Sequence, residues 1–153
     1  MDKLIHELVR FGMIEAFQGK RVRSNKFASF GITTNTLTSS LSTLIPPPEY
    51  WFEQEIIERH KMLAFQTPDK IADALSLIWD ESHKWQKLSM ATGIPEIDLK
   101  TQLKTIISRR NQIVHEADMD LFTGTRNKID KKDIDDVISF IEILSESIFN
   151  AVK

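Results

Sequence analysis

The sequence predicts an all-α protein, an up-and-down bundle of about five helices. Three observations predict it. Apolar residues recur at three- and four-residue spacing through most of the chain. Start and stop signals bracket those stretches: Thr67-Pro68, Pro95 and Asp130 at starts, Gly19 and Gly93 at ends. The links between the helical stretches are mostly short, which favours antiparallel neighbours.

The first helix is expected over residues 4–17, where Leu4, Leu8, Phe11 and Ile14 keep helical spacing. Residues 20–48 break the pattern. They hold Phe27, Phe30 and Ile32, the hydroxyl-rich run 33–43, and Pro46-Pro47-Pro48. This reads as a long irregular loop with at most a short strand or helical turn in it, and such a connection is uncommon in a compact domain. A second helix is expected over 49–65, with Trp51, Phe52, Ile56, Ile57 and Leu63 as apolar positions. Thr67 followed by Pro68 starts a third, an N-cap with proline at the first helical position. It runs to about Ala91 and carries Ile71, Leu75, Ile78, Trp79, Trp85 and Leu88. Pro95 opens a fourth with Leu99, Leu103, Ile106, Ile107, Ile113 and Val114. After a turn at Gly124, Asp130 caps a fifth with Ile134, Val137, Ile138, Ile141, Leu144 and Ile148. The whole, 1–153, reads as one domain.

The chain has 153 residues, 41% hydrophobic and 27% charged, enough for one domain with a real core. There are no cysteines, which excludes disulfides, thiol catalysis and cysteine-ligated zinc. No apolar run is long enough to span a bilayer, and the amino terminus lacks the features of a signal peptide. A cytoplasmic protein is expected. The net charge of −2 argues against non-specific binding to long duplex DNA, which needs many phosphate contacts. It leaves room for an enzyme that grips one or two phosphates. The charge is also uneven: Lys20, Arg21, Arg23 and Lys26 form a basic cluster, and Glu116, Asp118 and Asp120 an acidic one.

The chemistry points to Arg109-Arg110-Asn111-Gln112-Ile113-Val114-His115-Glu116. Leu99, Leu103, Ile106, Ile113 and Ala117 lie on one stripe, and Arg110 completes the series near its centre. A guanidinium does not sit unpaired in a dry core. Three arrangements satisfy it: a cleft, an internal carboxylate such as Asp80 or Glu142, or a second subunit. His115 stands about 140° further round the helix, so it shares no face with Arg110. The two meet if the helix ends or distorts there, or if two copies of the motif face each other. The plain alternative for His115 is a solvated residue at a helix carboxyl end, where positive charge is favoured.

The segment Arg109 to Asp118 resembles the signature of the HEPN superfamily (higher eukaryotes and prokaryotes nucleotide-binding domains). That signature is an arginine, a polar residue, a few apolar residues and a histidine in a late helix. The R-N-x-I-V-H-E-x-D form is most similar to the RiboL-PSP-HEPN branch. The resemblance covers 68–153 well and the first 66 residues loosely. It implies a helical domain that dimerises with two motifs facing each other. It also implies metal-independent endoribonuclease activity on RNA, tRNA among the candidate substrates, in toxin–antitoxin or antiviral-defence systems, with no cofactor and with an antitoxin or defence protein as a further partner. By position, Arg110 would hold the scissile phosphate, Asn111 would support the site and His115 would be the acid/base. Arg109, Glu116 and Asp118 would assist. In one branch a tyrosine two residues past the histidine is AMPylated; here that place is Ala117, so such control is not expected.

The residue types suit the reaction. A ribose 2′-hydroxyl attacks its own phosphate once a base takes its proton, and histidine titrates in the right range. Arginine matches phosphate with two parallel hydrogen bonds. Lys20, Arg21, Arg23 and Lys26 are candidates for guiding RNA, against the commoner role of solvated surface. Glu116, Asp118 and Asp120 could ligate Mg²⁺, but a solvated helix exit, or one acid orienting His115, is the simpler reading. No metal is expected. His6, His60 and His83 read as surface or partly buried residues, and Trp51, Trp79 and Trp85 as core rather than base-stacking platforms. The alternative to an enzyme is a non-catalytic helical module that binds a nucleotide or a partner protein, with Arg110 in a structural ion pair.

Overall fold

Eight helices run through the described residues, and no β-strand is found among them. The computed structural model describes residues 1–42, 44–115, 119, 124–125 and 130–153. The helices are α1 (Asp2–Phe17), α2 (Asn25–Ala28), α3 (Thr34–Ser42), α4 (Pro48–His60), α5 (Pro68–Leu75), α6 (Lys84–Thr92), α7 (Glu96–His115) and α8 (Lys131–Val152). They divide into two compact units. One holds Met1–Phe65, Asp69–Ser82 and Val152; the other holds Gln66–Pro68, His83–Ala151 and Lys153. No helix among the described residues is long and apolar enough to cross a membrane.

In the first unit α1 packs on α4, and α4 on α3. The face that α1 buries is Ile5, Val9, Gly12, Met13 and Ala16. It is one position round from the expected Leu4–Leu8–Phe11–Ile14 stripe, and Phe11 is exposed. Both stripes are apolar at helical spacing. Gly12 decides between them, because a Cβ there would lie 2.7 Å from Ile78 Cγ2. Arg10 then bridges Glu7 on its own helix and Glu53 on α4.

The expected loop 20–48 contains two helices. Ser24 caps α2 by accepting from Phe27 N at 3.0 Å, and its buried hydroxyl donates to Leu77 O at 2.9 Å. The longer helix, α3, buries no residue. Thr33 accepts from Thr36 N at 3.2 Å at its start. Both threonine hydroxyls donate to Glu55 on α4, at 2.9 and 2.5 Å. This helix is anchored by polar contacts, so it has no apolar period to announce it. Its Thr38 and Ser40 hydroxyls return to backbone carbonyls of the same helix, as such residues do.

The expected helix from Pro68 to about Ala91 is two helices. After Leu75 the ladder tightens: Leu77 N bonds Ala74 O and Ile78 N bonds Leu75 O. The chain then leaves the helix through Asp80 to Ser82 and restarts at Lys84. Ile78 and Trp85 stay seven residues apart, about two turns, so the apolar phase survives the break and hides it.

In the second unit, buried Trp85 donates Nε1–H to Pro68 O at 3.1 Å. Gly93 ends α6 in the left-handed region, φ +72°. Ser89 Oγ donates to Ile94 O at 2.7 Å across the turn, and α6 packs on α7. Asp130 caps α8 by accepting from Lys132 N at 3.2 Å. Burial along both long helices is lopsided. α7 buries Leu99 and Leu103 near its start; α8 buries Phe140, Leu144 and Ile148 from its middle onward. The ends nearest their connection are exposed.

Candidate active site

Arg110, Asn111 and His115 lie on the exposed carboxyl-terminal end of α7, which runs unbroken to His115. Arg110 Nη1 donates to Asn111 Oδ1 at 3.0 Å. Asn111 stands about 100° round the helix from Arg110 and about 40° from His115, between the two. No hydrogen bond joins Arg110 to His115 among the described residues, and the helix does not distort to bring them together. Arg109 is half-buried. Glu116, Asp118 and Asp120 lie outside the described residues.

Arg110 sits on the expected apolar stripe of α7. The stripe is real, but it leaves the core. Leu99 and Leu103 are buried, Ile106 and Ile107 half-buried, and Ile113 and Val114 are 42% and 57% exposed. Arg110 is solvated at its centre rather than enclosed. The internal carboxylate proposed for it is not used: Asp80 accepts from Asn25 Nδ2 at 2.9 Å, and no acid pairs with Arg110 among the described residues. Across the connection, Ile134, Val137 and Ile138 of α8 are exposed as well. The last turns of α7, which carry the motif, and the first turns of α8 thus both expose apolar residues.

The basic cluster 20–26 has mostly intramolecular partners. Arg21 binds Glu15 at 2.9 Å and Val152 O at 2.5 Å. Arg23 Nε donates to Ala16 O at 3.2 Å, and Lys26 bonds both the carbonyl and the carboxylate of Asp73. Lys20 is exposed. Three of the four cations tie the α1–α2 connection to its own unit. Among the described residues no group of three or more His, Asp or Glu could hold a metal ion.

Sequence reasoning passed over a second polar cluster, in the first unit. Glu55 is buried and accepts from Thr33, Thr36 and Arg59, the last at 2.7 Å. Burial alone would raise its pKa. The bonds from Thr36, Arg59 and Thr33 outweigh that and bring the carboxyl down to about 2. His60, expected at the surface or partly buried, is 7% exposed and ringed by His6, Phe30 and Phe65. Burial, then the charges of His6, Arg59 and Lys26, hold it below the usual histidine range. The Glu55/Arg59 spacing was the only trace of this cluster in the sequence.

No curated protein and no solved structure matches the chain. A protein-family model does: that of RiboL-PSP-HEPN, over residues 3–153. The match takes in residues 3–66 as well, beyond the part that the motif made recognisable. With only helices as regular elements among its described residues, and matched almost end to end, the chain belongs to the RiboL-PSP-HEPN family.

Proposed function

We propose that the chain is a metal-independent endoribonuclease that acts as a homodimer, as a toxin or antiviral-defence effector in the cytoplasm, with tRNA among its candidate substrates. One observation supports this above others. Arg110 and His115 are exposed at the end of α7 beside the exposed apolar residues Ile113 and Val114, and α8 exposes Ile134, Val137 and Ile138 near its start. A second copy laid on that end buries the apolar residues and turns two motifs toward each other. One chain alone supplies half of the arrangement.

In the reaction, a His115 imidazole takes the proton of a ribose 2′-hydroxyl. The 2′-oxygen bonds to phosphorus, the bond from phosphorus to the 5′-oxygen breaks, and that oxygen leaves with a proton from an imidazolium. The products are a 2′,3′-cyclic phosphate and a 5′-hydroxyl. Arg110 binds the phosphate oxygens and stabilises the charge that gathers on them. Asn111 accepts from Arg110 and positions the guanidinium. Arg109, Glu116 and Asp118 are assigned supporting roles.

The test is cleavage of total RNA and tRNA in excess EDTA, with product ends analysed. Loss of a general acid/base typically costs 10²–10⁴-fold, roughly, so His115→Ala should cleave at background rate. Arg110→Ala should fall by a similar order. Full, specific cleavage by His115→Ala would end the proposal. No cleavage by any form would favour a module that binds a nucleotide or a partner protein.

A further inference from the structure

We infer that Lys104 binds a phosphate of the RNA strand on its way to His115, so that the strand runs along α7. The inference rests on the ribonuclease reading above. Lys104, Ser108, Asn111 and His115 follow each other by four, three and four residues. At roughly 100° per residue they fall within an arc of about 60°, one straight track on the helix. All four are exposed. Lys104 lies about 16 Å along the axis from His115, a few nucleotides away.

The charge of α7 supports an anionic ligand. Its acids, Glu96 and Asp98, are confined to the first turn. From Leu99 to His115 there is no Asp or Glu, but there are Lys100, Lys104, Arg109 and Arg110. An ordinary solvated helix face mixes signs and pairs them at i and i+4. Lys100 obeys, binding Glu96 at 2.5 Å. The positions that would pair Lys104 are Lys100 and Ser108, and among the described residues Lys104 has no ion-pair partner. The helix dipole does not account for it either. Lys104 is about three turns from the carboxyl end, and that effect fades within the last turn. Arg21, Arg23 and Lys26, by contrast, are occupied within their own unit.

The experiment is RNA binding by fluorescence anisotropy across a salt series. The proteins are wild type, Lys104→Ala, Lys104→Arg and, as a control for bulk charge, Lys3→Ala. One lost phosphate contact on a single strand lowers the slope of log affinity against log salt by about 0.7. Lys104→Ala should show that loss on every RNA sequence. Lys104→Arg should restore the slope, and Lys3→Ala should leave it unchanged. A slope in Lys104→Ala equal to wild type overturns the inference and leaves the ribonuclease proposal standing. RNA bound through Lys104 but cleaved equally well without His115 does the reverse. A wild-type protein that binds no RNA removes both.

Discussion

At Glu55 a buried carboxylate stays ionised because three donors surround it. Through the Thr33 and Thr36 hydroxyls it ties the start of α3 to α4. Glu55→Ala strands the Thr33 and Thr36 hydroxyls and frees Arg59. Because Arg59 is partly exposed and recovers water, the cost is about 1–3 kcal/mol, readable by urea denaturation. Folding lowers this carboxyl from 4.5 to about 2, so its stabilisation is complete above 4.5 and fades as the pH falls toward 2. His60 acts earlier on the scale. Its folded pKa lies below 6.5, so it adds nothing above that pH. Below it, the unfolded chain takes up a proton that the folded one refuses, and stability drops. Thermal melts should therefore show Tm falling as the pH drops below 6.5. In His60→Gln, which cannot be protonated, the fall should be smaller; an equal fall would assign it to other groups.

Helix α1 shows how one glycine orients an element. Gly12 lets the Ile78 side chain lie against the α1 backbone. Ala is the better helix former by roughly 1 kcal/mol, so propensity alone predicts that Gly12→Ala stabilises. The added methyl would sit 2.7 Å from Cγ2 and 3.0 Å from Cβ of Ile78, atoms of a β-branched side chain with little freedom to yield. Overpacking of this kind costs about 1–3 kcal/mol and should win. A lower denaturation midpoint checks it; a higher one would mean that α1 shifts without penalty. The other elements were legible in proportion to their apolar period. α7 and α8 start at Glu96 and Lys131, where Pro95 and Asp130 place them. α3 was not legible, because hydroxyls bonded to Glu55 have no period. The break between α5 and α6 was hidden because Ile78 and Trp85 keep phase across it.

For the molecule as a whole, the proposed dimer rests on the exposed apolar residues of α7 and α8. Ile113 and Val137 are already exposed, so charging them costs the isolated fold little. A charge buried at an interface without a partner costs much more. Ile113→Asp and Val137→Asp should each weaken self-association by at least about tenfold, or ~1.4 kcal/mol, in sedimentation. Their helical content should be unchanged. A wild type that sediments as a monomer at every concentration would overturn the proposed dimer.

The sequence by itself determined the helical class, the main helix starts and ends, and the Arg110–Asn111–His115 motif. Each is written locally, in capping residues, glycines and short spacings whose physics needs no distant partner. Only the tertiary structure decided which of two apolar stripes on α1 faces inward, because Gly12 matters only once Ile78 arrives. It alone placed Arg110 in solvent, because helical spacing says which residues share a stripe and nothing of how far along the helix the core extends.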